Sequence, residues 1–275
     1  MSTRLAVVFD FDDTLAHDST SGFLASIGVD VDHFWGTTVA ALLEDGWDPI
    51  PAYLHAMIGH SKARNSGDRI TLERLEHFGR TIEFFPGVPE IFDTLRTAAR
   101  EVDSSIEIEF YLISSGIETI LRATAIAHEF HDIWACRFHA DAESSEICFP
   151  RNVVSFTEKT RFLFQISKGV VGPAMRSRVH DVNRKVRDGQ FRIPLNRMIF
   201  VGDGLTDVPC FALVKRYGGI PIGVYDAARP SKWEAAWSFI EDGRVTSLHA
   251  AKFSPGDDLY NMLLMAVRNR AAADV

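Results

Sequence analysis

The sequence predicts an α/β protein with a Rossmann-like, doubly wound parallel sheet at its core and an inserted helical segment. Short apolar runs that end in Gly, Ser or Asp recur along the chain, and amphipathic stretches with helical periodicity separate them. Strands that alternate with helices in this way favour parallel β-α-β units. One long stretch, residues 17–79, is helical in pattern and carries no strand signal, which indicates an insertion between the first two strands.

The composition excludes several classes of protein. The chain has 275 residues, of which 46% are hydrophobic, so it can bury a full core and is not disordered. Its formal net charge of -8 disfavours nucleic acid as a partner, because binding to the phosphate backbone needs clustered Lys and Arg. The three cysteines lie far apart and match no disulfide or zinc pattern. No signal-peptide core or membrane-length apolar run is present, so we expect a soluble, cytoplasmic protein without a membrane partner.

The first strand is predicted at residues 5–9, a buried apolar run that leads directly into "DFDDT". The residues after it follow a helical pattern that is broken by Gly and Pro. We therefore divide the chain into a core, residues 1–16 and 80–275, and a helical cap, residues 17–79.

The remaining elements of the core follow in order. A Pro-Gly turn opens a helix in "FFPGVPEIFDTLRTAAR", and the second strand is "IEIEFYLISSG". Further strands are predicted at "IWACRFHA", "EICFPRNVV", "RMIFVGDG" and "GIPIGVY", with helices at "EKTRFLFQIS" and at residues 174–187. The carboxyl ends of parallel strands meet at one edge of a sheet, so Asp10, Ser114 and Asp203 are expected to lie together.

Three carboxylates, Asp10, Asp12 and Asp13, come directly after the first strand. Like charges packed so closely repel one another unless a cation or a bound group compensates them. Side chains alternate along an extended chain, so Asp10 and Asp12 are expected on one side and Asp13 on the other. The pattern therefore predicts a cation beside Asp10, whereas Asp13 is interpreted as a solvated turn residue.

Four motifs in the core, "DFDDT", "LISSG", a downstream Lys and "VGDGLTD", resemble in sequence and order those of the haloacid dehalogenase-like (HAD) superfamily of phosphohydrolases. The cap has no counterpart motif. The resemblance implies a Mg²⁺-dependent enzyme that hydrolyses a small phosphorylated metabolite through an aspartyl-phosphate. Asp10 would be the nucleophile, since a carboxylate can attack phosphorus. Asp12 would be the general acid and base.

The resemblance also implies the ligands of the metal and of the phosphate. Hard oxygen ligands suit Mg²⁺, and the implied set is Asp10, the backbone carbonyl of Asp12, Asp203 and Asp207. Phosphate would be held by Thr14, by Ser114 with the Ser115 and Gly116 amides at a helix start, and by Lys159. Lys168 is the alternative to Lys159, which is preferred because it lies at the start of its helix.

Other functions use the same residues or part of them. A phosphotransferase or phosphomutase would pass the phosphoryl group to an alcohol through the same site. A non-catalytic phosphate-binding module would be expected to have lost one of the acids, and none is missing. A dehalogenase would need neither Asp12 nor a metal, so the presence of Asp12, Asp203 and Asp207 disfavours it.

The resemblance is closest to the phosphoserine phosphatase branch, with one departure. In that branch a Glu lies nine residues after the nucleophile and contacts the ammonium group of the substrate, whereas this chain has Ser19 there. A neutral hydroxyl cannot form the charge-assisted bond that a buried ammonium needs. We therefore expect phosphoserine to be a poor substrate, and Lys62 or Arg64 of the cap to contact a different small phosphomonoester.

Overall fold

The structure, a computed structural model, describes residues 4–187 and 189–272. Its strands are β1 Arg4–Phe9, β2 Glu107–Ile117, β3 Phe130–Ala140, β4 Ile147–Asn152, β5 Met198–Gly202, β6 Ile220–Tyr225 and β7 Ser247–Ala250. They form one seven-stranded sheet of order β4-β3-β2-β1-β5-β6-β7. Neighbouring strands are parallel except for the pair β3 and β4. The predicted parallel sheet is confirmed, with β1 at its centre.

Helices fill the inserted segment, residues 17–79, that follows β1. They are α1 Ser19–Ser26, α2 Val31–His33, a π-helical turn Phe34–Val39, α3 Ala40–Glu44, α4 Pro49–Lys62 and α5 Leu72–Gly79. The helical character predicted for this stretch is therefore observed. Its treatment as a separate cap, residues 17–79, stays a prediction, because its apolar side chains belong to the same hydrophobic cluster as one face of the sheet.

The remaining helices cover both faces of the sheet. They are α6 Val88–Val102, α7 Glu118–Arg122, α8 Glu158–Lys168, α9 Val208–Arg216, α10 Trp233–Glu241 and α11 Asp258–Ala272. Alternate side chains of β1 enter two different clusters: Val8 packs with α8, α9 and the inserted helices, whereas Val7 packs with α6 and α11. This is the doubly wound arrangement that the sequence predicts. Among the described residues, no helix combines the length and apolar character that crossing a membrane requires.

Two parts of the chain differ from the sequence-based expectation. The helix expected at residues 174–187 is wrong, since only the short 3-10 turns Pro173–Met175 and Val179–Asn183 form there. Met175, Val179, Val182 and Val186 have helical spacing, but none of them is buried against the rest of the protein. Asp181 pairs locally with Arg178 and Arg184. The edge strand β7 was not predicted, because its four residues carry no run of β-branched or aromatic side chains.

Replacement of Phe92 should strongly destabilise the fold. Phe92 is fully buried on α6, and its ring lies 5.0 Å from Phe110, 5.4 Å from Phe130 and 6.1 Å from Phe9, measured between centroids. We expect Phe92→Ala to lower the free energy of unfolding by about 3–5 kcal/mol, measured by urea denaturation. The matched control is Phe149→Ala, at a side chain that is 66% exposed, for which about 0.5 kcal/mol or less is expected. Equal losses in the two variants would contradict the placement of the core.

Candidate active site

The candidate site lies at the carboxyl edge of the sheet, where β1 passes between β2 and β5. Asp10 follows the last residue of β1, Ser114 lies near the end of β2, and Asp203 follows β5. The backbone N–H of Asp10 donates to the carbonyl of Val201 over 2.9 Å, which fixes the exit of β1 against β5. The structure thus brings together the three residues that the strand pattern predicted to meet.

Three carboxylates form a compact acidic cluster at this edge. Asp10, Asp203 and Asp207 each place a carboxylate oxygen within 4.8 Å of the others, and Asp10 and Asp207 are buried. Burial, followed by the charge of Asp10, raises the pKa of Asp203 well above its usual value and that of Asp207 to about 7. Carboxylates that are this close and this poorly hydrated fit a hard divalent cation such as Mg²⁺.

Two local features hold Asp207 in the cluster. The short 3-10 turn Leu205–Asp207 follows β5 and turns Asp207 back towards Asp203. The backbone N–H of Gly204 donates to Asp207 Oδ2 over 3.2 Å. A Cβ atom at Gly202 would lie only 2.4 Å from Asp207 Oδ2, so this position at the end of β5 must be glycine for the carboxylate to pack there.

Lys159 supplies the positive charge inside the cluster. Its side chain is fully buried at the start of α8, and its Nζ lies 3.0 Å from Asp10 Oδ2 and 2.7 Å from Asp207 Oδ1. Burial opposes the charge of Lys159, but the two carboxylates outweigh this effect and raise its pKa. Lys168, the alternative from the sequence, lies at the other end of α8 and donates to the carbonyls of Val182 and Arg184.

Asp12 has a different environment from the cluster. Its Oδ1 accepts the backbone N–H of Ser19 over 2.7 Å. Burial, followed by the nearby charge of Asp18, raises the pKa of Asp12 to about 8 although the bond from Ser19 opposes the shift. A carboxyl group with this pKa is partly protonated at neutral pH, and it can both donate and accept a proton.

Ser114 and Gly116 face Asp12 across the site. Ser114 is buried and its Oγ accepts the backbone N–H of Gly116 over 2.9 Å. A Cβ atom at Gly116 would lie 2.6 Å from Asp12 Oδ2 and 3.2 Å from Ser114 Oγ, so only glycine leaves room between them. The sequence placed Ser114 to Gly116 at a helix start. This placement is wrong, since these residues still belong to β2, which ends at Ile117, and α7 begins at Glu118.

Thr14 and Asp13 both connect the loop after β1 to other loops. Thr14 is buried, and its hydroxyl donates to Asp203 Oδ1 over 3.4 Å. Asp13 is not the solvated turn residue that the sequence indicated. Its side chain is buried and paired with Arg229 and Lys232. The alternation argument failed because β1 ends at Phe9 and the backbone of Asp13 is left-handed, with φ of 54°.

Sequence reasoning missed Tyr53, which lies on α4 and reaches the site from the inserted helices. It is buried, and its hydroxyl donates to the carbonyl of Ser115 over 2.5 Å. The signal in the sequence is weak: Tyr53 places a hydroxyl among apolar neighbours on α4, and a buried tyrosine hydroxyl usually has a hydrogen-bond partner. Arg64, by contrast, donates to the carbonyl of Ile27 over 2.7 Å and contacts His60, while Lys62 is exposed. Arg64 is therefore engaged within the inserted segment.

No protein-family model matches the sequence. An uncharacterised protein of Borreliella burgdorferi is 23% identical over 287 residues, covering 94% of this chain and 95% of the relative. A HAD family hydrolase from Salmonella enterica serovar Typhi superposes with a TM-score of 0.57 at 13% identity, covering 85% of this chain and 65% of that structure. A substrate-bound phosphoserine phosphatase superposes at 0.56 and 14% identity, covering 94% and 97%.

The chain has the HAD hydrolase fold. This assignment agrees with a third structure, a phospho-aspartyl intermediate analogue of phosphoserine phosphatase, which has a TM-score of 0.53, 15% identity and coverage of 94% of this chain and 97% of that one. The HAD fold explains why the sequence motifs, although far apart in the chain, occupy one edge of the sheet. At these identities the likeness establishes the architecture, and the chemistry has to be argued from this chain's own residues.

A divalent cation should stabilise the protein more at alkaline than at acidic pH. The pKa of Asp207, about 7, and that of Asp203 are raised from 3.8, so without a cation the folded protein retains protons that the unfolded chain releases. The stability that the proton on Asp207 gives is present below about pH 4 and lost as the pH rises through about 7. A cation competes with the protons, so we expect Mg²⁺ to raise the Tm more at about pH 8 than at about pH 5.

The control for this experiment is Asp203→Asn, which removes one charge from the cluster. Calorimetry with and without Mg²⁺ should show a smaller increase in Tm for this variant at about pH 8. Two results would contradict a cation site at Asp10, Asp203 and Asp207. One is that Mg²⁺ raises the Tm of the wild-type protein equally at both pH values. The other is that Mg²⁺ raises the Tm of Asp203→Asn as much as that of the wild type.

Proposed function

We propose that the protein is a phosphatase that hydrolyses a small phosphorylated metabolite through an aspartyl-phosphate on Asp10. The observation that carries this proposal is the buried contact of Lys159 with both Asp10 and Asp207, 3.0 Å and 2.7 Å long, beside the acid Asp12. The positive charge of Lys159 thus lies directly beside the carboxylate that would be the nucleophile. The similarity to a phospho-aspartyl analogue of phosphoserine phosphatase supports the same chemistry.

The proposed reaction has two steps. A carboxylate oxygen of Asp10 attacks phosphorus and forms the aspartyl-phosphate, while the bond from phosphorus to the leaving oxygen breaks and Asp12 gives that oxygen its proton. A water molecule then attacks the same phosphorus, and Asp12 takes the proton from the water. The bond to Asp10 breaks, inorganic phosphate leaves, and both carboxyl groups return to their starting states. The raised pKa of Asp12, about 8, suits a group that gives and regains one proton.

Mg²⁺ is the proposed cofactor. It would be held by Asp10, Asp203 and Asp207 together with the backbone carbonyl of Asp12. When bound, the ion supplies the positive charge that lets an anionic phosphate approach an anionic nucleophile. The raised pKa values of Asp203 and Asp207 support this proposal, because burial and the neighbouring charge of Asp10 both disfavour their carboxylate forms unless a cation compensates them.

The phosphate oxygens are proposed to bind between the ends of β2 and α8. Lys159 would contact one oxygen while it remains paired with Asp10, and the Ser114 hydroxyl would donate to another. To bind phosphate, the Gly116 amide would leave its present acceptor, Ser114 Oγ. The amides of Ser115 and Gly116 and the hydroxyl of Thr14 complete the proposed set. Preorganised donors of this kind stabilise charge on the phosphoryl group in the transition state.

The inserted helices, residues 17–79, are proposed to act as a cap that excludes water and selects the substrate. The contact from Tyr53 to the carbonyl of Ser115 supports this role, because it seats α4 directly on the loop that would hold phosphate. With the cap seated in this way, Asp10, Ser114 and Lys159 are each at most 5% exposed. Exclusion of water strengthens the electrostatic interactions inside the site.

Replacement of Asp10 by Asn should abolish turnover. The amide is nearly isosteric with the carboxylate but is a poor nucleophile, so we expect less than about 1% of the wild-type release of phosphate from p-nitrophenyl phosphate with Mg²⁺. The matched control is Asp93→Asn, at a surface carboxylate that is 89% exposed, which should leave the rate unchanged. Wild-type turnover in excess EDTA, or an active Asp10→Asn variant, would refute the proposal. Transfer of the phosphoryl group to an added alcohol would instead indicate a phosphotransferase.

Phosphoserine should be a poor substrate. Ser19 is neutral, and Asp18 is occupied as the N-cap of α1, where it accepts from the N–H groups of Thr20 and Ser21 over 3.0 Å each. The absence of a charge-assisted partner for the substrate ammonium is expected to lower kcat/KM about 100-fold relative to the best small phosphomonoester. Parallel assays with sugar phosphates, nucleotides and p-nitrophenyl phosphate decide this. Phosphoserine as the best substrate of the panel would show that Ser19 does not determine selectivity.

A further inference from the structure

Asp13 forms a buried ion-pair cluster beside the proposed catalytic residues. Its side chain is 5% exposed, and its Oδ1 accepts from Arg229 Nη1 over 3.1 Å while Lys232 Nζ lies against Oδ2. Both cations come from the loop after β6, and their side chains remain 39% and 41% exposed. The cluster therefore joins the loop after β1 to the loop after β6.

The backbone of Asp13 is held in an unfavourable conformation. Its φ of 54° lies in the left-handed region, which costs a residue other than glycine about 1 kcal/mol. Glycine would adopt this conformation without strain, so the conformation alone does not explain an aspartate here. The side chain itself must contribute, and its contacts with Arg229 and Lys232 are the interactions that offset the strain.

The residues on either side of Asp13 belong to the proposed active site. Asp12 is held through Oδ1 by the N–H of Ser19, and Thr14 donates to Asp203 Oδ1 over 3.4 Å. A change of φ at Asp13 rotates the peptides that connect it to both neighbours. The position of the general acid and the contact from Thr14 to Asp203 therefore depend on the conformation of Asp13.

The loop after β6 is also held by the buried carboxylate of Asp226. Asp226 is buried and accepts the N–H of Ala228 over 2.9 Å, and its Oδ2 lies 3.3 Å from Arg229 Nε. His17 Nδ1 lies 3.3 Å from the same Oδ2. Arg229 thus bridges two buried carboxylates, one on each loop, and cannot move away from Asp13 without also leaving Asp226.

We propose that Asp13 is a positioning residue, whose ion pairs with Arg229 and Lys232 hold the loop that carries Asp12 in its catalytic conformation. This inference rests on the proposed phosphatase function. Asp13 does not contact the reacting atoms; it acts through the backbone of its two neighbours. Its loss should therefore lower kcat and leave the binding of substrate nearly unchanged.

The test uses two substitutions at the same position. Asp13→Asn removes the charge but keeps the shape of the side chain, and asparagine also tolerates a left-handed φ. The ends of Arg229 and Lys232 are partly exposed, so they stay hydrated in this variant. Asp13→Gly removes the strain together with the side chain. We expect both variants to lose about 10-fold or more in kcat for p-nitrophenyl phosphate with Mg²⁺, with KM within about twofold of wild type. Asp13→Gly should keep its Tm, because glycine relaxes the backbone.

A second pair of variants tests whether the ion pair is the cause. Lys232→Gln should lower kcat in the same direction, and the double variant Asp13→Asn with Lys232→Gln should be no worse than Asp13→Asn alone. The matched control is Arg268→Gln, which removes a surface ion pair with Glu101 of 2.8 Å and should leave kcat unchanged.

The outcomes separate this inference from the proposed function. A wild-type protein without Mg²⁺-dependent turnover contradicts the proposed function and the inference together. An active wild type with kcat unchanged in Asp13→Asn and Asp13→Gly contradicts the inference alone. The inference is also overturned if the loss of kcat in Asp13→Asn disappears in assays well below its Tm, since that result identifies a role in stability only.

Discussion

The candidate site depends on one electrostatic constraint, the burial of Lys159 between Asp10 and Asp207. Its ammonium group has no exposure to solvent and lies within 3.0 Å of an oxygen of each carboxylate. Breaking such a buried pair leaves an uncompensated charge, which costs about 3–5 kcal/mol. The start of α8, the exit of β1 and the turn after β5 are therefore held together by charge, in addition to the packing of their apolar side chains.

This constraint also explains the residues that allow close approach. The three charged groups converge only because β1 and β5 are adjacent and parallel, and because Gly202 leaves space for the carboxylate of Asp207. Gly116 has the same function beside Asp12 and Ser114. The acids can therefore approach one another only because two conditions are met together. The two glycines leave space for the carboxylates, and Lys159 compensates their charge.

Much of this arrangement was predictable because parallel strands bring their carboxyl ends to one edge. That rule located Asp10, Ser114 and Asp203 from strand ends alone, and the start of a predicted helix favoured Lys159 over Lys168. Asp13 was misplaced because alternation applies only within a strand, and β1 ends at Phe9. Its partners Arg229 and Lys232, like the contact of Tyr53, depend on loop conformations and on pairings between distant segments. No local pattern in the sequence encodes such pairings.

The sequence separation of these contacts has a consequence for how the protein is made. Asp13 meets partners 216 and 219 residues later in the chain, and β1 pairs with strands that begin at Glu107 and Met198. At a synthesis rate of about 5–20 residues per second, the ribosome adds Arg229 roughly 10–40 s after it has synthesised β1. Loop closure over such distances also slows folding after release. The nascent amino-terminal segment therefore carries its acidic motif without its partners, and the geometry of the candidate site arises only when the two halves of the sheet meet.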